Sequence, residues 1–117
     1  MPQTPTGKTT LLIASQALGR GDDQLGEALI EKFIYTLSTM EHVPDTIVFL
    51  NSGVKLVVRN SLVQADLEKL GSQGVRLLAC GTCLEYFSLQ DRVAVGQVSN
   101  MKEIAETLMV SDKVISL

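Results

Sequence analysis

The feature that most restricts this chain is an alternation. Short, continuous apolar runs recur along it, and stretches with helical spacing separate most of them. The runs are TTLLIAS (9–15), TIVFL (46–50), VRLLA (75–79), RVAVG (92–96) and KVISL (113–117). A short unbroken apolar run reads as a strand buried on both faces, as in a parallel sheet. After the first run, Leu25, Leu29, Phe33, Leu37 and Met40 return every three or four residues, with Ile30 and Ile34 alongside. That spacing makes one broad helix face. Asp22 or Asp23 caps its start and Pro44 marks its end. Val63, Leu67 and Leu70 give a second helix, with Ser61 and Gln64 spaced as a capping box and Gly71 or Gly74 as the stop. LEYFSL (84–89) makes a short helix. Asn100 and Glu103 repeat the capping pattern ahead of Ile104 and Leu108. Met40, Met101 and Met109 read as core positions on helix faces. VKLVV (54–58) fits a short strand, an extended loop or an interface patch. Strand alternating with helix predicts an α/β fold: a five-stranded, mostly parallel sheet between two helical layers.

The totals narrow the class. A chain of 117 residues with 45% apolar content suits one domain with a real core. Residues 1–8 are polar and hold two of the three prolines, so they read as a flexible tail or linker ahead of a domain spanning 9–117. A net charge of −3 argues against nucleic acid as a partner, and two Tyr, three Phe and no Trp leave few bases-stacking platforms. No apolar run approaches the roughly 18 residues of a membrane span, and the N-terminus has no apolar signal core, which predicts a cytoplasmic protein with no membrane partner.

In parallel sheets, ligands bind outside the carboxyl ends of the strands. The expected exits are Ser15 through Gly26, Asn51 through Lys55, Cys80 through Cys83, and Gly96 through Asn100. The third exit carries Cys80-Gly81-Thr82-Cys83. Four uses of that pair are open: a metal ligand set, a redox disulfide, a sulfur carrier, or two packed thiols. Structural zinc takes four ligands, and the chain has two Cys and one His, His42, so a complete site within one chain is disfavoured. In a reducing compartment two cysteines are free, catalytic or metal-bound sooner than a structural staple. A nearby helix start would lower a thiol's pKa, and Arg20 or Lys55 from neighbouring exits would add positive charge. TGKTT (6–10) lacks the earlier glycine and the preceding strand of a phosphate loop. GRGDDQLG (19–26) has glycines for an anion nest, but its two aspartates repel phosphate, which leaves loop formation and capping.

Four blocks in order, LGRGDDQLGEALIEKFIYTL, FLNSGVKLVV, LLACGTCLEYF and AVGQVSNMKEI, resemble the DsrE/DsrF-like superfamily of sulfur-relay proteins. Within it they are similar to the C-terminal domain of YedF-like selenium-metabolism proteins. The resemblance covers 9–117. It implies a Rossmann- or flavodoxin-like three-layer domain that forms homo-oligomers. It also implies a cysteine after the third main strand that accepts sulfane sulfur as a persulfide and hands it on. Cys80 matches that cysteine by its place in the loop, and Cys83 is its auxiliary thiol. Asn51, Lys55, Gly81, Thr82 and the loop around Arg20 would line the pocket. The implied partner is a sulfur-donor or acceptor protein such as a TusA-like domain, which precedes this fold in YedF-like chains. Sulfur transfer calls for an accessible thiolate on a rigid strand end and for no metal or other cofactor. The sequence also admits a non-catalytic oligomeric module that binds a ligand or partner in the same cleft, and a dithiol oxidoreductase.

Overall fold

The computed structural model describes residues 7–117. It contains a five-stranded sheet in which every pairing between strands is parallel, ordered β4-β3-β2-β1-β5. The strands are β1 (Thr9–Ile13), β2 (Thr46–Phe49), β3 (Arg76–Cys80), β4 (Gln97–Ser99) and β5 (Lys113–Ser116). Between them lie α1 (Asp23–Ser38), a 3-10 segment (Asn51–Leu56), α2 (Gln64–Ser72), α3 (Gly81–Tyr86) and α4 (Met101–Val110). The chain steps from β1 to β4 in one direction, then crosses back to place β5 beside β1. With right-handed crossovers, α1 and α2 cover one face and α4 the other. This is the α/β architecture that the alternation predicts.

The central strand β2 is buried at all four positions, as a doubly covered strand must be. Phe49, Leu11, Ile13, Ile47 and Leu78 join Ile30 and Ile34 of α1, Leu67 and Leu70 of α2 and Ile104 of α4 in one core. Asp22 caps α1 by accepting the Leu25 N–H at 2.8 Å, and Asn100 caps α4 by accepting the Glu103 N–H at 2.9 Å. Ser61 and Gln64 act one step earlier than a capping box would. Ser61 Oγ accepts the Val63 N–H, and Gln64 Oε1 accepts the Asn60 N–H, so they order the turn that leads into α2.

Several expectations need correction. RVAVG is not a strand. Val93 makes a single antiparallel bridge with Val58, and Ala94 and Arg59 complete the backbone bonding of that turn. The fourth strand begins at Gln97, after Gly96 turns the chain at φ +84°, where an added Cβ would lie 2.7 Å from the Leu77 carbonyl. A three-residue edge strand with two exposed positions carries too little apolar signal to be read in advance. The face of α1 is also narrower than its spacing suggests. Gly26, Ile30, Ile34 and Leu37 point inward, whereas Leu25 and Leu29, one position back along the helix, are rotated outward and exposed. Met40, Met101 and Met109 are exposed rather than core. VKLVV is neither strand nor surface patch: Val54, Leu56 and Val57 are buried in and just after the 3-10 segment. Of the tail, residues 1–6 lie outside the described residues. Lys8 is held to the body, its N–H donating to the Asp112 carboxylate at 2.7 Å.

Candidate functional site

The carboxyl ends of β1, β2 and β3 converge on one edge, and the loop after β2 ties them together. Leu50 N–H donates to the Ile13 carbonyl, and Gln16 N–H to Ser52 Oγ at 3.1 Å. Gly53 lies so close to β1 that a Cβ there would run into the Ile13 carbonyl oxygen. Asn51 enters this loop in the left-handed region, φ +50°. Its conformation aims its backbone N–H across the edge at Cys83 Sγ, 3.1 Å away. Asn is among the few residues other than glycine that take this conformation at small cost.

Strand β3 ends on Cys80, which is only 2% exposed and belongs to the core. The helix that follows starts at Gly81, three residues before the expected LEYFSL helix, and so takes the whole Cys-Gly-Thr-Cys motif into its first turn. Cys80 stands at the N-cap, and its Sγ accepts the Cys83 N–H at 3.4 Å. Cys83 is half-buried, and both cysteines are free thiols. Gly81 packs under β4, where an added Cβ would stand 3.0 Å from the Ser99 carbonyl oxygen. Thr82 faces solvent.

The electrostatics differ from the expected depressed pKa. Burial pushes the Cys83 thiol above its ordinary value, the hydrogen bond and charge of neighbouring Cys80 push the same way, and the Asn51 N–H pulls against them. A six-residue helix adds too few aligned peptides to reverse that balance. Lys55 does reach the site, but over an aromatic ring: its Nζ stands 4.6 Å from the centroid of Phe87. Phe87 in turn meets Tyr86 edge-on, with centroids 5.1 Å apart.

The structure therefore brings together Cys80, Gly81, Thr82, Cys83, Asn51 and Lys55. It leaves Arg20 on an exposed loop, without a hydrogen-bond or ion-pair partner among the described residues. Phe87 and Ser52 are the residues that sequence reasoning left without a role. Phe87 follows Cys83 by four positions, one helical turn, which was the available signal. A shallow cavity of about 130 Å³ opens beside Lys55, lined by Gln16, Glu27, Glu31, Ser61 and Leu62 among others; neither cysteine lines it. Among the described residues no three His, Cys, Asp or Glu side chains gather as a metal site would need, and no helix is long and apolar enough to cross a membrane.

Known structures share this architecture. The ychN protein from E. coli aligns over 94% of this chain and 99% of its own, with a TM-score of 0.63 and 17% identity. MTH1491 from Methanobacterium thermoautotrophicum, a protein of unknown function, aligns over 95% and 99%, with a TM-score of 0.68 and 22% identity. BT1422 from Bacteroides thetaiotaomicron, a conserved protein of unknown function, aligns over 94% and 95%, with a TM-score of 0.63 and 17% identity. At these identities the likeness is one of fold. Among curated proteins no relative matches the chain. The DsrE/DsrF-like family model matches residues 7–117, nearly the whole sequence, and the chain belongs to that family.

Proposed function

We propose that this protein is a sulfurtransferase-like carrier that holds sulfane sulfur as a persulfide on the Cys80–Cys83 pair. The observation that carries the reading is the pair itself: two free thiols in mutual contact at the carboxyl edge, one with an outlet to solvent and a backbone N–H aimed at its sulfur. Family membership supports it. Attack on a sulfur–sulfur bond needs a thiol, a fixed position and an approach path, and needs no metal. Asn51 and Lys55 would line the approach, the first by its N–H and the second by its charge. The partner is a protein bearing a persulfide or accepting one, such as a TusA-like domain. Selenium would travel by the same chemistry in sulfur's place, and the similarity to YedF-like proteins is what points to it. A second copy of the chain is a further partner on this reading, since β5 is an edge strand exposed at all four positions.

The test is intact mass spectrometry after incubation with a cysteine desulfurase and cysteine. The expected result is a reducible gain of one sulfur atom or an internal disulfide in the wild type, and neither in the double variant Cys80→Ser/Cys83→Ser. A wild-type mass that does not change would overturn the proposal. The alternative, a non-catalytic binding module, is favoured by one observation, the cavity beside Lys55 that neither cysteine lines. It predicts that ligand binding survives in the double cysteine variant.

A further inference from the structure

The two thiols are not equivalent, and their surroundings assign them an order. Cys80 is 2% exposed, at the end of a strand inside the core. Its sulfur faces the Cys83 N–H, not solvent. Cys83 is half-buried, one turn outward, and its sulfur accepts the backbone N–H of Asn51. A partner's persulfide can reach Cys83 on the folded protein. It reaches Cys80 only if the first turn of α3 opens.

Given the carrier reading above, on which this rests, we infer that Cys83 is the thiol that receives sulfur and Cys80 the buried thiol that resolves it. In the first step the Cys83 thiolate attacks the outer sulfur of a donor persulfide, R–S–SH. The donor's sulfur–sulfur bond breaks, R–S⁻ leaves and takes up the proton that Cys83 gave, and Cys83–S–SH forms. No net oxidation occurs. In the second step, when no acceptor thiol intervenes, the Cys80 thiolate attacks Cys83 Sγ. The bond to the outer sulfur breaks, hydrosulfide leaves with the Cys80 proton as hydrogen sulfide, and a Cys80–Cys83 disulfide forms. The two cysteine sulfurs lose two electrons between them, and the outer sulfur gains them. A dithiol reductant returns the pair to thiols.

The spacing permits this closure. Residues three apart at a helix start have Cα atoms about 5 Å apart, within the roughly 4.4–6.8 Å that disulfides span. The direction of the second step follows from leaving groups. Burial and the Cys80 thiol make Cys83 a weak acid and so a poor leaving group, whereas hydrosulfide is the conjugate base of a stronger acid. Attack by Cys80 therefore expels the outer sulfur instead of passing it inward.

Glutathione persulfide is the probe. The expected outcome is that Cys80→Ser and Cys80→Ala each gain one reducible sulfur mapped to Cys83, while Cys83→Ser gains none. The wild type should lose two hydrogens and release sulfide. In the untreated wild type, iodoacetamide should label Cys83 more than about tenfold faster than Cys80, since a buried thiol reacts only through opening. A stable sulfur on Cys80 in Cys83→Ser, with none on Cys83 in the Cys80 variants, would invert the order and overturn the inference while leaving the carrier reading intact. Equal labelling rates would overturn the accessibility argument. No sulfur on any variant, and no disulfide in the wild type, would remove both the order and the carrier reading.

Discussion

At Cys83, burial and a neighbouring thiol favour the protonated form, and the Asn51 N–H favours the thiolate. The first two prevail. A thiol whose pKa is raised on folding stabilises the fold below its unfolded pKa, and that contribution is lost as pH rises through the folded value. Two consequences are measurable in the alkaline range. The rate of Cys83 alkylation should go on climbing past the pH at which a free cysteine levels off, and a profile superimposing on that of glutathione would contradict the assignment. Wild-type stability should also fall more steeply there than that of Cys83→Ser. Asn51 makes a separate prediction. Asn51→Val places a β-branched residue at φ +50° and should cost about 1–2 kcal/mol in urea unfolding, whereas Asn51→Gly should cost little. Only Asn51→Val should also shift the Cys83 pH profile, because strain there moves the N–H off the sulfur.

Among the elements, the decisive one for the site is the 3-10 segment. It was the least legible in sequence, because VKLVV has the composition of a strand and its form depends on contacts with β1 that lie far away along the chain. Gly53 is the hinge of that arrangement. Gly53→Ala should destabilise the protein by about 3 kcal/mol, since the clash is with backbone and no side chain can move aside. Circular dichroism melting would check it; an unchanged midpoint would mean that the loop stands off β1. The same dependence on distant partners explains why RVAVG reads as a strand and is not one. Its apolar side chains are real, but its backbone is occupied by residues 57–59, and the sheet takes Gln97–Ser99 instead. By contrast α1, α2 and α4 are readable because spacing and local breaks or caps define them within a few residues.

For the whole molecule, a single core behind a fully buried β2 should make unfolding cooperative. Phe49→Ala should cost about 3–5 kcal/mol, a large part of the roughly 5–15 kcal/mol that holds a domain of this size together. Urea denaturation followed by fluorescence or circular dichroism would measure it. The sheet's outer edge behaves differently. Val114 and Ile115 of β5 and Met109 and Val110 at the end of α4 are exposed, and an uncovered edge strand invites pairing. If a second copy covers it, Val114→Lys should lower the mass found by analytical ultracentrifugation without changing the melting behaviour at low concentration. Identical masses for variant and wild type would remove this edge as the interface.

The sequence by itself determined the class of fold, four of the five strands, the three longer helices and the motif at the end of the third strand. Those features are local: apolar runs, helical spacing and caps act over a few residues and need no knowledge of what packs against them. Tertiary structure alone decided which thiol is buried, that Asn51 N–H meets Cys83, that Lys55 lies over Phe87, and that Leu25, Leu29 and three methionines stay outside. Each of those is a matter of which distant segment occupies a given side. Exposure and hydrogen-bond partners are properties of a packed arrangement, and residues 32 positions apart, such as Asn51 and Cys83, acquire a chemical relationship only when the sheet brings their strand ends together.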